Sequence, residues 1–111
     1  MRLKRCKRHL VWAVGITKYG RIAIARNGNE TECRNIPGNC GCIHAEANLL
    51  KKITPAVVFV SYSPCLNCAK LLHKAGVKYV FFLRRYRKRE GVLYLLENGV
   101  SVKGILNPWI F

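Results

Sequence analysis

Ala56-Val57-Val58-Phe59-Val60-Ser61-Tyr62-Ser63-Pro64-Cys65-Leu66-Asn67-Cys68 reads as two elements joined with almost no linker. The first seven residues are nearly all apolar or β-prone, the pattern of a strand buried on both faces. Ser63-Pro64 then opens a helix, with proline at an early position where its missing N–H costs little. That helix carries Cys65, Cys68, Leu71, Leu72 and Ala75 and stops at Gly76. Val77 to Leu83 is a second buried strand. A weaker helical stretch covers about Glu90 to Asn98, and Val100 to Val102 closes the sheet.

Upstream, residues 10–16 and 21–25 are short β-like runs, and Lys18-Tyr19-Gly20 between them suits a hairpin turn. Residues 26–43 form a polar loop holding Asn27-Gly28, Pro37-Gly38 and three cysteines. A helix begins near His44 and runs to about Lys52, with Leu49, Leu50 and Ile53 on its apolar face, and Thr54-Pro55 ends it. Strands alternating with helices imply an α/β sandwich whose strands are at least partly parallel. The 111 residues make one domain, with residues 1–9 a short basic segment ahead of it.

Composition narrows the class. Twenty Lys and Arg face five Glu and no Asp, a formal charge of +15. The cations concentrate at residues 2–8 and in Arg84-Arg85-Tyr86-Arg87-Lys88-Arg89. Such a field draws phosphates and anionic substrates, whether a nucleotide, a single strand or a folded RNA; a merely solubilising basic surface is the bland alternative. No apolar run reaches membrane-spanning length, and no signal-type apolar core follows the basic N-terminus, so a cytoplasmic protein is expected. Six cysteines suggest a disulfide framework only in an oxidising setting; Cys65 and Cys68 instead have metal spacing, and reduced thiols are expected.

His44-Ala45-Glu46 and Pro64-Cys65-Leu66-Asn67-Cys68 together supply three borderline-to-soft ligands and one carboxylate. Catalytic zinc keeps three protein ligands and an open position for water, whose pKa it lowers toward neutrality. His44, Cys65 and Cys68 are the ligand set. Each opens or lies near the start of a helix, where the dipole favours thiolate. Glu46, two residues past His44, points to a different side of its helix and is the proton shuttle. The alternative is a structural knuckle with a fourth ligand from Cys33, Cys40 or Cys42.

The pattern resembles the deoxycytidylate (dCMP) deaminases of the cytidine deaminase-like superfamily. The resemblance runs from about Val11 to Val102. It rests on Asn27-Gly28, on Gly41-Cys42-Ile43-His44-Ala45-Glu46-Ala47-Asn48, on Ser61 to Lys70, and on Ala75 to Val80. It implies a three-layer α-β-α sandwich with a mixed central sheet of about five strands, a Zn2+ cofactor and a homo-oligomer. It further implies that Asn27 hydrogen-bonds the sugar, that the Ala45 backbone helps recognise the pyrimidine, and that Tyr86 packs on base or sugar. Ser63 joins this substrate-binding set, and Arg26, where the family often has an aromatic, pairs with the 5′-phosphate.

Two departures bear on substrate size. Only about nine residues precede the first strand, where the family has a full helix, and the row from Arg84 to Arg89 is more basic than a mononucleotide requires. The expected reaction is hydrolytic deamination of dCMP to dUMP and ammonia. Deamination of cytosine in single-stranded DNA or RNA is the alternative, with a nonenzymatic zinc-stabilised nucleic-acid binder behind it. Cys33, Cys40 and Cys42, spaced C-x6-C-x-C, read as free thiols in a loop; a second, structural zinc is the competing assignment.

Overall fold

The computed structural model describes residues 4–5, 11–29, 44–84 and 89–105. Five strands make the main sheet: β2 (Trp12–Ile16), β3 (Ile22–Arg26), β5 (Val57–Tyr62), β6 (Tyr79–Arg84) and β7 (Ser101–Gly104), in the order β3-β2-β5-β6-β7. A separate two-residue ladder pairs β1 (Lys4–Arg5) with β4 (Gly28–Asn29). The helices are α1 (Ala45–Leu50), α2 (Leu66–Lys74) and α3 (Glu90–Glu97). β2 runs antiparallel to both β3 and β5, whereas β5, β6 and β7 are parallel. The sheet is therefore mixed and five-stranded, as the sequence implies.

Local chemistry accounts for the boundaries. In the β2–β3 hairpin the Thr17 amide donates to the Arg21 carbonyl at 2.8 Å, and Gly20 takes the left-handed φ of 86° the turn demands. The exits from α2 and α3 into the strands that follow use glycine the same way. After α2, Gly76 at φ 87° donates to the His73 carbonyl and Val77 to the Leu72 carbonyl. After α3, Gly99 at φ 81° donates to the Leu96 carbonyl and Val100 to the Leu95 carbonyl. This paired closure satisfies the last carbonyls and turns the chain into the next strand.

Cross-strand register puts Ala13 beside Val60, Val60 beside Phe82, Gly15 beside Val58, and Val58 beside Val80 and so Val102. These side chains form one buried face. Ala45 and Leu49 of α1, Ala69 and Leu72 of α2, and Val92 and Leu95 of α3 join the same cluster. The β5-α2-β6 and β6-α3-β7 crossovers step in one direction along the sheet, so right-handed connections place both helices on one side. α1 reaches that side closely because of Gly15: a Cβ there would stand 2.9 Å from Ile53 Cδ1 and 3.0 Å from Leu49 Cδ2.

The other face carries Trp12, Val14, Ile16, Phe59, Phe81 and Leu83, all half-buried, with Ile22 and Ile24 each 62% exposed at the edge. The Phe59 and Phe81 rings stack at 5.1 Å. Among the described residues no helix lies over this face, and none is long and apolar enough to cross a membrane.

Several boundaries differ from the sequence reading. The first helix ends at Leu50, short of Thr54-Pro55, because Lys51 to Ile53 already turn back toward β5. The second begins at Leu66 with Cys65 as its N-cap, since the Cys65 backbone is still extended (φ −72°, ψ 170°). The expected loop from 26 is partly strand: Arg26 ends β3, and Gly28–Asn29 is β4.

Candidate metal centre

The C-terminal ends of β3, β5 and β6 lie at one edge of the sheet, and α1 and α2 both begin there. Open α/β sheets bind ligands at that edge. His44 is the N-cap of α1 and Cys65 the N-cap of α2, and neither side chain caps its own helix. They are turned toward each other instead. His44 Nδ1 lies 3.1 Å from Cys68 Sγ and 3.6 Å from Cys65 Sγ. The three ligand atoms all fall within 4.8 Å of one another.

Zinc at about 2.0–2.1 Å from nitrogen and 2.3 Å from sulfur spaces neighbouring N and S ligands of a tetrahedron by about 3.5 Å. The His44–cysteine separations match that spacing, and one imidazole with two thiols is a donor set zinc favours, so the residues present fit the ion. Cys68 is buried, Cys65 half-buried and His44 exposed.

The sulfurs are unequal. Hydrogen bonds from Cys68 and then His44 pull the Cys65 thiol down to about 4. Cys68 is pushed up, first because it donates to Cys65 and next by burial. One thiolate and one thiol thus share a proton in the metal-free cluster, and a bound cation displaces that proton.

Glu46, in the first turn of α1, is only 4% exposed. Burial raises its pKa above the ordinary value, and the charge on Cys65 raises it further, while His44 and a hydrogen bond with Cys68 act against them. A buried carboxyl beside a metal cluster, with its pKa raised above the ordinary value, suits acid–base work. Sequence spacing alone located this arrangement.

Arg26 and Asn27 sit at the same edge. The Asn27 amide donates to the Val11 carbonyl at 2.9 Å and its Oδ1 accepts the Val11 amide at 3.0 Å, fixing the side chain at 6% exposure. Ser63 is 3% exposed, and its amide donates to the Arg84 carbonyl at 2.9 Å. Ala45 is fully buried beneath the cluster. Tyr86, Cys33, Cys40 and Cys42 lie outside the described residues.

Two supporting residues escaped the sequence reading. Asn48 Nδ2 donates to the Arg26 carbonyl at 2.9 Å, tying α1 to the end of β3. Asn48 is only 3% exposed, and a buried amide of this kind needs such an acceptor. Gly91, in the first turn of α3, lies against the cysteine loop: a Cβ there would come within 2.1 Å of the Pro64 carbonyl oxygen and 2.7 Å of the Cys65 carbonyl carbon. A helix-interior glycine is the only trace of this in the sequence.

The profile of the cytidine and deoxycytidylate deaminase zinc-binding region matches residues 1–84. A crystal structure of dCMP deaminase from the cyanophage S-TIM5 in complex with dCMP and dUMP superposes with a TM-score of 0.76 at 32% identity, over 90% of this chain and 84% of that one. The chain belongs to the cytidine and deoxycytidylate deaminase family. ComE operon protein 2 of Bacillus subtilis (strain 168) is 27% identical over 117 residues, and the present chain spans 62% of its length. A diaminohydroxyphosphoribosylaminopyrimidine deaminase/reductase from Thermotoga maritima shares the fold at 21% identity and a TM-score of 0.64, over 85% of this chain and 29% of that one.

Two outcomes follow from the geometry. Gly91→Ala forces backbone rather than a flexible side chain to move, at a cost of about 1–3 kcal/mol, and displaces Cys65. Zinc affinity by chelator competition should fall with it; unchanged affinity contradicts the packing. The second concerns pH. Below the ordinary carboxylate value of 4.5, Glu46 is protonated in folded and unfolded chains alike. Above it the unfolded chain ionises first, so burial of Glu46 costs stability as pH rises. Metal-free Glu46→Gln should therefore melt above metal-free wild type at pH 8, with the difference shrinking toward pH 4. Equal melting temperatures at pH 8 contradict the burial cost.

Proposed function

We propose that this chain is a zinc-dependent hydrolase that converts dCMP to dUMP and ammonia, with the whole 111-residue chain acting as one deaminase unit. The observation that carries the reading is the His44, Cys65 and Cys68 cluster with a buried Glu46 beside it. Likeness to a phage dCMP deaminase solved with dCMP and dUMP supports this substrate over others.

His44, Cys65 and Cys68 would hold a zinc ion, which would supply Lewis-acid activation of water. Glu46 takes a proton from the attacking water and gives it to N3 of cytosine as the C4–O bond forms. It then carries the second proton to the 4-amino group, the C4–N bond breaks, and ammonia leaves a uracil base. A carboxyl with a raised pKa fits this relay, since it must accept and release a proton within each turnover. The Ala45 backbone faces the base and Asn27 holds the sugar. Arg26 takes the 5′-phosphate, with Ser63 beside the cysteines and Tyr86 against base or sugar. The anchoring of the Asn27 side chain on Val11 supports its part by removing the entropy of orienting it.

We also propose that the chain associates with itself. The sheet face bearing Trp12, Val14, Phe59 and Phe81, over which no helix lies among the described residues, is the support for this, because a contiguous apolar patch on a protein surface marks an interaction site.

Ammonia release from dCMP, deoxycytidine, dCTP and a cytosine oligonucleotide tests the substrate. The proposal expects turnover of dCMP above the others, and a loss of roughly 100-fold or more in Glu46→Ala with zinc still bound. Activity on the oligonucleotide without activity on dCMP overturns it, as does normal turnover by Glu46→Ala. Light scattering at micromolar concentration should give a mass above one chain; a monomer contradicts self-association.

A further inference from the structure

At the edge of the sheet opposite the metal cluster, a cavity of about 690 Å³ opens between the β2–β3 hairpin and the starts of β5 and β6. Ile53, Pro55 and Ala75 give it an apolar floor, and Lys18, Arg21 and Lys78 stand around its mouth. Tyr19 rises from the hairpin tip with 86% of its surface exposed, and Lys18 Nζ lies 5.2 Å from its ring centroid. α2 separates this pole from the cysteines by about 13 Å, the length of nine helical residues.

The segments that line the cavity carry charge of one sign, while Glu97 at the end of α3 is the acidic residue on a neighbouring segment. Residues 17–21, 51–56 and 74–78 contain Lys18, Arg21, Lys51, Lys52, Lys74 and Lys78 and no acidic residue. Lys51, Lys52 and Lys74 end α1 and α2, where cations complement the helix dipole, and Lys52 Nζ also donates to the Ile24 carbonyl at 2.6 Å. That account does not reach Lys18, Arg21 or Lys78, which belong to no helix. Tyr19 adds an exposed aromatic ring beside these cations.

Successive phosphates meeting separated cations, with bases stacking on an exposed aromatic, is the chemistry of single-stranded nucleic acid binding. We propose that this pole binds a single-stranded polynucleotide. Lys18, Arg21 and Lys78 contact phosphates, Tyr19 stacks one base on the ring face away from Lys18, and a neighbouring base enters the apolar cavity. The cavity falls within the usual size of ligand sites. The surface is distinct from the metal cluster and holds a strand whether or not that strand contains cytosine.

The test uses the full chain and a fluorescein-labelled thymine-only 20-mer, which offers the deaminase site no cytosine. Anisotropy is followed across a series of KCl concentrations. Each single-strand phosphate contact contributes about 0.7 to the slope of log affinity against log salt. Arg21→Glu/Lys78→Glu should lower that slope by about one and a half and weaken binding more than tenfold. Tyr19→Ala should weaken it about tenfold with the slope unchanged. Lys70→Glu/Lys103→Glu changes net charge equally on exposed positions away from the pole and should have a much smaller effect. Equal weakening by the two double variants reduces the binding to net charge and overturns the proposal. Ultraviolet crosslinking of a 5-bromouracil strand to the wild-type protein provides a second readout. Crosslinks at Tyr19 support the proposal, and crosslinks confined to residues 84–89 overturn it. Loss of wild-type binding in favour of a duplex of the same length overturns it too.

Discussion

Everything at the functional edge depends on bringing His44 Nδ1 within 3.1 Å of Cys68 Sγ across two separate helices. The contact requires α1 and α2 to start at the same edge and to lie nearly side by side. Small residues make this feasible: Ala45 and Ala69 are both fully buried. Gly15 lets α1 sit down on β2, and Gly91 lets α3 press α2 from the other side. Together these residues set the depth of each helix above the sheet. The N-cap positions then do the rest, because an N-cap side chain that does not cap its own helix is free to face its neighbour.

This arrangement is bought with local stability. Glu46 is a buried carboxyl, and burial raises its pKa against the pull of a backbone hydrogen bond and of His44. Cys68 is likewise pushed toward its protonated form while Cys65 is held as thiolate. In the metal-free chain these groups compete for few protons in a small volume. A divalent cation resolves the conflict by replacing the shared proton and attracting both sulfurs. Binding to the folded chain alone therefore adds to stability by mass action. The same unresolved charge that weakens the metal-free fold provides a group able to move protons at the site.

Much of this was legible in the sequence, for physical reasons. Residues 57–62 and 79–84 are strands, as their nearly unbroken apolar runs betray, but they are buried on the helix-covered face and only half-buried or exposed on the other, where both faces were expected to be buried. Left-handed turns need glycine, so Gly76 marked the end of α2 correctly. Ligand spacing around His44, Glu46, Cys65 and Cys68 is local and survives the loss of tertiary information. What resisted reading depends on contacts distant in sequence. Nothing near Asn48 reveals that its amide reaches the Arg26 carbonyl, and nothing near Gly91 reveals the Pro64 carbonyl against it. The start of α2 slipped by two residues because proline marks the neighbourhood of a helix start without fixing its N-cap. The pole around Tyr19 was hidden for the same reason, since three segments each carrying two cations meet only in the fold.

X-ray absorption at the zinc K-edge of the zinc-loaded protein tests the central claim most directly, because it counts sulfur ligands without reference to activity. The account predicts two sulfurs at about 2.3 Å, one imidazole nitrogen at about 2.0–2.1 Å and one further light atom. Three or four sulfurs would show that Cys33, Cys40 or Cys42 closes the coordination shell, and a closed structural site would contradict the account.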